Sequence, residues 1–322
     1  MTPTLHLRPH GRLGNHVMQW MTAESLAARV PGLRLRNFDL GPLGRAAPGG
    51  KPPLAALMPS LFAQDSDLDL VAQLMTGGEM PFARLYCIVM QAAQWGEPER
   101  FRRLLPMGPE PVQTAGPGEI LLNVRADEIL KARHRDYGPL PLGFYAGVLR
   151  ETGLRPVFMG QLGEDDYSRL LRQSFPEARF LPSQGALGDF NALRQARHVA
   201  LSVSTFSWAA GWLSQAESVH MPLLGFFNPE QRPDIDLCPT CDTRFHFYRL
   251  GLRQWTASAQ QVAALSDTAP VPRLSAAEVE GLRQAAKSAR AAARKADAER
   301  IVLRARRLRP ALPLLRRLWS GE

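Results

Sequence analysis

Three short stretches carry residue types able to do chemistry on an anionic or sugar ligand. Gly11 to Asn15, GRLGN, sets two glycines three apart directly after the apolar run Thr4 to Arg8. Backbone N–H groups in such a turn, with the positive end of a following helix, can receive an anion or let a ligand approach closely. The stretch is neither GxGxxG nor a P-loop, since no Gly-Lys-Ser/Thr follows, and a purely structural turn is an equal reading. Ser204, Thr205 and Ser207 in SVSTFSW occupy a strand-to-helix turn where hydroxyls and amides can bind phosphate oxygens. Ser and Thr are also common N-caps, and the local sequence favours capping. Arg125 closes the run EILLNVR, where a guanidinium needs an anion, the solvent edge, or an acid such as Asp127 or Glu128. A diphosphate suits its planar fork.

The elements that must position these residues follow from periodicity. Residues 4 to 30 read as strand, glycine loop and helix, ending before Pro31-Gly32. Residues 42 to 60, rich in Gly and Pro, read as loop, and Leu68 to Ala93 as a helical region. The segment 107 to 119, MGPEPVQTAGPGE, predicts an interdomain linker. Beyond it strands and helices alternate: EILLNVR, GFYAGVLRETG, RPVFMG, EDDYSRLLRQSF, ARFLPS, LGDFNALRQA, HVALSVS, FSWAAGWLSQ and SVHMPLL. That alternation implies a parallel sheet with right-handed crossovers, whose ligands bind beyond the carboxyl ends of the strands. The residues just after Arg8, Arg125, Gly160 and Ser202 are therefore the candidates. A capping box, Ser275 with Glu278, opens an Ala/Arg helix to about Leu308, which Pro310 and Pro313 then interrupt.

The chain has 322 residues, enough for two domains, and a formal net charge of +9. Residues 275 to 322 hold 12 Lys/Arg and 5 acids, so the basic character belongs mostly to a tail. The body lacks a basic stripe interleaved with aromatics, which argues against nucleic acid as a partner. No apolar run approaches the roughly 20 residues of a membrane span, and no signal-peptide block follows Met1. Three cysteines cannot build a disulfide framework, so a cytoplasmic protein is expected. Asp234 to Asp236 and Asp65 to Asp69 superficially fit DxD metal motifs but follow no apolar strand and read as solvated loops. Cys238, Cys241 and His246 supply at most three zinc ligands, with no second pair to complete a site. The tail reads either as a helix on an anionic membrane surface, helped by Leu314, Leu315, Leu318 and Trp319, or as one packed on the body.

In order and spacing, GRLGNHVMQW, NVRADEI, YGPLPLGFY and STFSWAAGWL together resemble segments of the bacterial α-1,2-fucosyltransferases of glycosyltransferase family 11. The resemblance spans about residues 5 to 228. It implies a GT-B-like α/β fold of two Rossmann-like domains with parallel sheets, plus the basic helical tail. The domains would be an N-terminal, acceptor-side domain (1–110), a nucleotide-sugar-binding domain (118–265) and the tail (275–322). It implies transfer of fucose or a related sugar from a GDP-sugar to a glycan hydroxyl by one inverting displacement, without an essential metal or other cofactor. The acceptor would belong to surface polysaccharide synthesis, lipid-linked in one version, with peripheral membrane contact through the tail.

Residue by residue, Arg125 matches the arginine that holds the donor diphosphate, and Ser204, Thr205 and Phe206 match the phosphate-binding turn. Asp189 matches the carboxylate that pairs with guanine. Gly11, Arg12, Gly14 and Asn15 match the glycine loop facing the reacting sugar, and His16, Asp127 and Glu128 are candidate bases by position. Asn123 stands where the family has His, Ala126 where it has a second Arg, ADE where it has RGD, and His16 where it has Gln. These departures keep open a different nucleotide sugar and a catalytically silent nucleotide- or glycan-binding protein.

Overall fold

The computed structural model describes residues 2–49, 60–61, 64–107, 111–251, 254–308 and 310. The chain divides into two units, residues 1–97 with 287–322, and residues 98–286. The fold class is α/β: each unit is built on a parallel sheet, and a long helix closes the described chain.

In the first unit, the elements are β1 (Thr4–Leu7), α1 (Leu13–Arg29), β2 (Arg34–Arg36), β3 (Phe38–Leu40), β4 (Arg45–Ala47), β5 (Ser60–Leu61), α2 (Leu68–Thr76), β6 (Phe82–Leu85) and α3 (Ala92–Trp95). Four of the strands form a parallel sheet in the order β2-β1-β6-β5, while β3 and β4 make a separate antiparallel pair. Because side chains alternate along a strand, Leu5, Leu7, Leu61, Ala83 and Leu85 gather on one face with Leu26, Val71 and Met75 of the helices. β6 corrects the expectation of a continuous helical region over 68 to 93. Its four residues, FARL, are too few for periodicity to separate a buried strand from a helix turn.

The second unit continues with α4 (Pro98–Leu104), β7 (Glu119–Val124), α5 (Glu128–Lys131), α6 (Leu142–Thr152), β8 (Arg155–Gly160), α7 (Asp166–Ser174) and β9 (Arg179–Phe180). It is completed by α8 (Gly185–Gln195), β10 (His198–Ala200), α9 (Thr205–Leu213), β11 (Ser218–Leu223), β12 (Phe245–Arg249), α10 (Ala259–Ala263) and β13 (Arg273–Leu274). The seven strands lie in the order β13-β12-β11-β10-β7-β8-β9, parallel except for β13 at the edge. The chain runs outward from β7 through β8 to β9 and then returns to the other side of β7 as β10. The strand order thus reverses between β7 and β10, the place where such sheets open a crevice. Both strands are apolar, with Ile120, Leu121, Leu122, Val199 and Ala200 fully buried.

The final helix, α11 (Ala276–Leu308), opens on the expected capping box: Ser275 N–H donates to Glu278 Oε2 at 2.7 Å, and Glu278 N–H to Ser275 Oγ at 3.2 Å. The sequence sets residues 275–322 apart as a tail. In the structure the helix is shared, counting with the second unit through Ala286 and with the first from Lys287. Ile301 and Ala305 join the first unit's apolar core. Arg290 and Arg294 reach the carboxylate of Asp65 at 3.1 and 3.4 Å, and Arg283 holds Asp236 at 2.6 Å.

These ion pairs correct the reading of Asp65 to Asp69 and Asp234 to Asp236 as solvated loops. Asp65 and Asp236 are buried, and Arg283, Arg290 and Arg294, seven and four positions apart along α11, meet them. Asp67 caps α2, accepting from Asp69 N–H and Leu70 N–H. Leu314, Leu315, Leu318 and Trp319 lie outside the described residues. No helix of the described residues is long and apolar enough to cross a membrane.

Candidate functional site

At the switch point of the second sheet, β7 ends in Asn123 and Val124, followed at once by Arg125, and β10 leads on to Ser202 to Thr205. Register fixes their proximity: Leu121 pairs with Val199 and Leu122 with Ala200. One pair later, the buried Ser202 Oγ donates to Asn123 Oδ1 at 2.6 Å. Asn123 in turn donates to the Met159 carbonyl at 3.4 Å, so it ties β10, β7 and β8 together at their carboxyl ends. This gives the departure at position 123 a structural role in the sheet.

Ser204 is the N-cap of α9. Its Oγ accepts from Ser207 N–H at 3.0 Å and donates to Ser207 Oγ at 2.9 Å, while Ser207 Oγ donates to the Ser202 carbonyl at 2.7 Å. The local preference for capping is what the fold uses, and the Ser204 hydroxyl, 2 % exposed, is consumed by it. Of the turn expected to bind phosphate, Thr205 and Phe206 form the first turn of α9, at the positive end of its helix dipole.

Arg125 points to a different use. Its guanidinium lies 3.4 Å from Glu128 Oε1 and 4.3 Å over the ring of Tyr137. Its Nε is buried and has no hydrogen-bond partner among the described residues. Glu128 also accepts from Gln161 Nε2 at 3.0 Å, and Gln161 Oε1 accepts from Ala126 N–H at 3.1 Å. Asp127 between them sits at φ +47°, a conformation that costs a non-glycine residue on the order of 1–3 kcal/mol. A cation held on an aromatic face with an unsatisfied donor is poised for an anion.

Sequence reading did not find the residues that hold Arg125. Tyr137 is packed edge-on by His134 and Phe226, at 4.2 and 5.1 Å between ring centres. Arg232 grips the same loop through Asp136 at 2.7 Å and is itself held by the nearby Asp234 at 2.7 Å. Gly225 adopts φ +60° just past β11, and a side chain there would collide with the Asp136 carbonyl. The signal was the aromatic residues in HRDY, between α5 and α6, and in GFF, past β11, but their meeting depends on long-range packing. Burial raises the Tyr137 phenol above its ordinary range, with Arg125 opposing, and burial lowers His134.

Asp189 lies on α8 and is buried, 9 % exposed. Its two oxygens accept from Ser183 Oγ at 2.7 Å and Gln184 N–H at 2.8 Å, so the carboxylate fastens the loop between β9 and α8.

The glycine loop belongs to the first unit. Gly11 takes φ +77°, and a Cβ there would run into the Asn15 side chain, which folds back over it. Gly14 is buried in the first turn of α1, while Gly11 and Arg12 are exposed. His16 is half-buried, and burial followed by the neighbouring His10 pushes its imidazole below the usual value, which keeps it neutral near pH 7. Gln19 Nε2 donates to the carbonyls of Arg8 and Leu85 at 3.0 and 3.2 Å, joining the carboxyl ends of β1 and β6.

The two cysteines and His246 do not converge on one point. Cys238 is buried and donates its thiol to the Phe227 carbonyl at 3.4 Å, Cys241 is exposed, and the His246 ring is met by Arg273. Among the described residues no group of three or more His, Cys, Asp and Glu side chains is disposed to hold a metal ion.

No protein-family model matches the chain, and no curated protein does. Among solved structures it is similar to a mutant FUT1 of Arabidopsis thaliana in complex with GDP, at 11% identity over 69% of this chain and 70% of that one, with a TM-score of 0.42. It is also similar to the E. coli heptosyltransferase WaaC with ADP, at 15% identity over 81% and 96% of the two chains, with a TM-score of 0.38. Both likenesses are remote, and neither assigns a substrate or a residue role to this chain.

Proposed function

We propose that this protein is a glycosyltransferase that uses a nucleotide-diphosphate sugar, with GDP-fucose or a related GDP-sugar as the leading donor and a glycan hydroxyl as acceptor. One observation carries the reading. Arg125, with its buried unsatisfied Nε, stands at the switch point of the seven-stranded sheet, where β10 turns into the N-terminus of α9. The motif resemblance spread over residues 5 to 228 supports it.

In the reaction, an acceptor hydroxyl oxygen bonds to the anomeric carbon as the bond from that carbon to the diphosphate breaks, with inversion. The electron pair leaves on the diphosphate. Arg125 and the first-turn amides of Thr205 and Phe206 stabilise that growing charge, the role an oxyanion hole plays elsewhere. The hydroxyl proton goes to a base, and His16, neutral at pH 7, is our candidate in the first unit. The diphosphate charge is assigned to protein cations and amides, so the mechanism asks for no metal. A lipid-linked surface glycan as acceptor, with peripheral membrane contact through the tail, belongs to the same reading.

A second reading keeps the reaction and changes the base. Both oxygens of Asp189 already accept hydrogen bonds from its own loop, which weakens the case for a guanine-reading carboxylate and favours a donor with another nucleotide. Thermal-shift titration with GDP, UDP, dTDP and CMP separates the cases. Selective stabilisation by GDP supports the leading donor, and selectivity for another nucleotide supports the second reading. Stabilisation by none of the four overturns the proposal. Binding without sugar release from labelled GDP-fucose, in the presence of candidate acceptors, marks a catalytically silent protein.

A further inference from the structure

Two residues past Arg125 the chain takes a conformation that its side chain does not favour. Asp127 has φ +47° and ψ −113°, the geometry of the first central residue of a type II′ turn, where glycine is at ease and a Cβ is crowded. Strain of this kind persists only where the surroundings fix it, and it gathers at ligand sites.

The surroundings here are specific. Gly160 ends β8 at φ +127°, so close to β7 that a side chain there would collide with the Val124 carbonyl, and Gln161 N–H donates to that same carbonyl at 3.0 Å. From this anchor the Gln161 side chain spans the turn: Oε1 accepts from Ala126 N–H at 3.1 Å, and Nε2 donates to Glu128 Oε2 at 3.0 Å. Ala126 and Ile129 are buried, and Trp255 Nε1 donates to the Ile129 carbonyl at 2.6 Å. The residues flanking Asp127 are tied down.

The Asp127 side chain is not. It is exposed, gives no capping hydrogen bond to α5, and its carboxylate meets no other described residue in a hydrogen bond or ion pair. The neighbouring acids differ, since Glu128 is committed to Arg125 and Gln161, and Asp136 to Arg232. Of these three carboxylates, that of Asp127 is the one left to face a ligand. Glycine at this position would relieve the turn, so the aspartate answers to something other than stability.

We propose that the Asp127 carboxylate holds a vicinal diol of the donor, the ribose 2′,3′-diol or a hydroxyl pair of the transferred sugar, accepting one hydrogen bond from each hydroxyl. The inference rests on the donor reading of this site. Both sugars of such a donor hang directly on its phosphates, so a carboxylate two residues from the guanidinium assigned to the diphosphate stands beside a sugar ring. A carboxylate only accepts, through two oxygens, which matches two adjacent O–H donors and offers nothing to a phosphate. Because the backbone is fixed in advance, little entropy is left to lose on binding.

The test is isothermal titration calorimetry on the full chain. The probes are GDP, 2′-deoxy-GDP and GDP-fucose, with UDP, 2′-deoxy-UDP and UDP-glucose as the matching set for the second donor reading. Within the set that binds, Asp127→Gly should change one affinity ratio about 10-fold or more, the size of a lost charge-assisted hydrogen bond. The ratio of the diphosphate to its 2′-deoxy form moves if the ribose is held, and that of the sugar nucleotide to the diphosphate moves if the transferred sugar is. Asp127→Asn, which keeps one acceptor oxygen, should move the same ratio less. Thermal unfolding gives a second readout: with the crowded Cβ removed, Asp127→Gly should melt at the same temperature or higher. Both ratios unchanged overturns the proposal. A Tm lowered by several degrees in Asp127→Gly also overturns it, because the carboxylate would then serve the fold. Failure of the unmutated chain to bind either set removes the donor reading and this proposal with it, whereas unchanged ratios in a chain that binds nucleotide leave that reading standing.

Discussion

Replacing Arg125 with glutamine isolates the charge that the proposed chemistry needs. The folded protein gains little from that guanidinium. Its ion pair with Glu128 is long, 3.4 Å, and the two side chains are 25% and 42% exposed, a class of contact worth about 0–1 kcal/mol. Stacking on Tyr137 at 4.3 Å adds about 0.5–1 kcal/mol. A stability loss of ~1–2 kcal/mol corresponds to only a few degrees in Tm for a domain of this size. Losing the counter-charge to a departing diphosphate costs far more, about 2–4 kcal/mol by analogy with removed oxyanion donors. At ~1.4 kcal/mol per factor of ten, turnover should drop roughly 30- to 1000-fold.

The assay pairs initial rates with calorimetric titration of GDP, GMP and guanosine. The preference for GDP over guanosine should shrink about 10- to 100-fold, as expected for lost charge-assisted hydrogen bonds of ~1.5–3 kcal/mol. Guanosine affinity should stay put. An undiminished GDP preference, or an equal loss for guanosine, would refute the assignment of Arg125 to the diphosphate.

Gly225→Ala forces a side chain into the Asp136 carbonyl at a positive φ, so it should destabilise the second unit and loosen the Tyr137 platform. Chemical denaturation would show a loss of 1 kcal/mol or more, with a parallel loss of nucleotide affinity. Asp65→Asn leaves Arg290 and Arg294 facing a neutral group at a buried position, and should cost about 3–5 kcal/mol in the same assay. An unchanged midpoint would mean that α11 is not anchored there.

Burial holds His220 down to about 3, while its ring nitrogens meet Tyr248 Oη at 2.8 Å and Ser218 Oγ at 3.1 Å. The folded state binds this proton less readily than the unfolded chain, so its contribution is full above about pH 6.5 and is lost as pH falls toward 3. The loss is on the order of several kcal/mol. In His220→Gln that acid dependence should flatten in a pH series of urea melts; an identical slope would reject it. Arg306 and Arg307 are exposed cations on the last turn of α11. Their joint replacement by glutamate should release the protein from phosphatidylserine vesicles in sedimentation, if the tail meets a membrane surface.

The alternating series after residue 118 is the part of the fold most legible in the sequence. Its strands are apolar on both faces and its helices carry their own stop signals, such as Gly153 in the left-handed conformation at the end of α6. Local patterns of that kind also placed Arg125 at a strand end, Ser204 at a helix cap and Ser275 with Glu278 in a capping box. Short elements with mixed patterns escaped. β6 has four residues, and β12 and β13 follow a long irregular stretch, so no window held enough period to declare them.

What residue types and spacing could supply was therefore the class of fold, the strand ends worth inspecting and the motif resemblance. Partners far apart in the chain came only with packing. The reversal of strand order between β7 and β10 singles out one pair of strand ends, because hydrogen bonding across the sheet is not encoded in any local window. Tyr137 and Phe226 meet across 89 residues to hold Arg125, and Asp65 waits more than 220 residues for Arg290 and Arg294. A buried charge or an aromatic platform is defined by what surrounds it in space, so the tail's arginines change from a free charge reservoir into structural ties once the helix is seated.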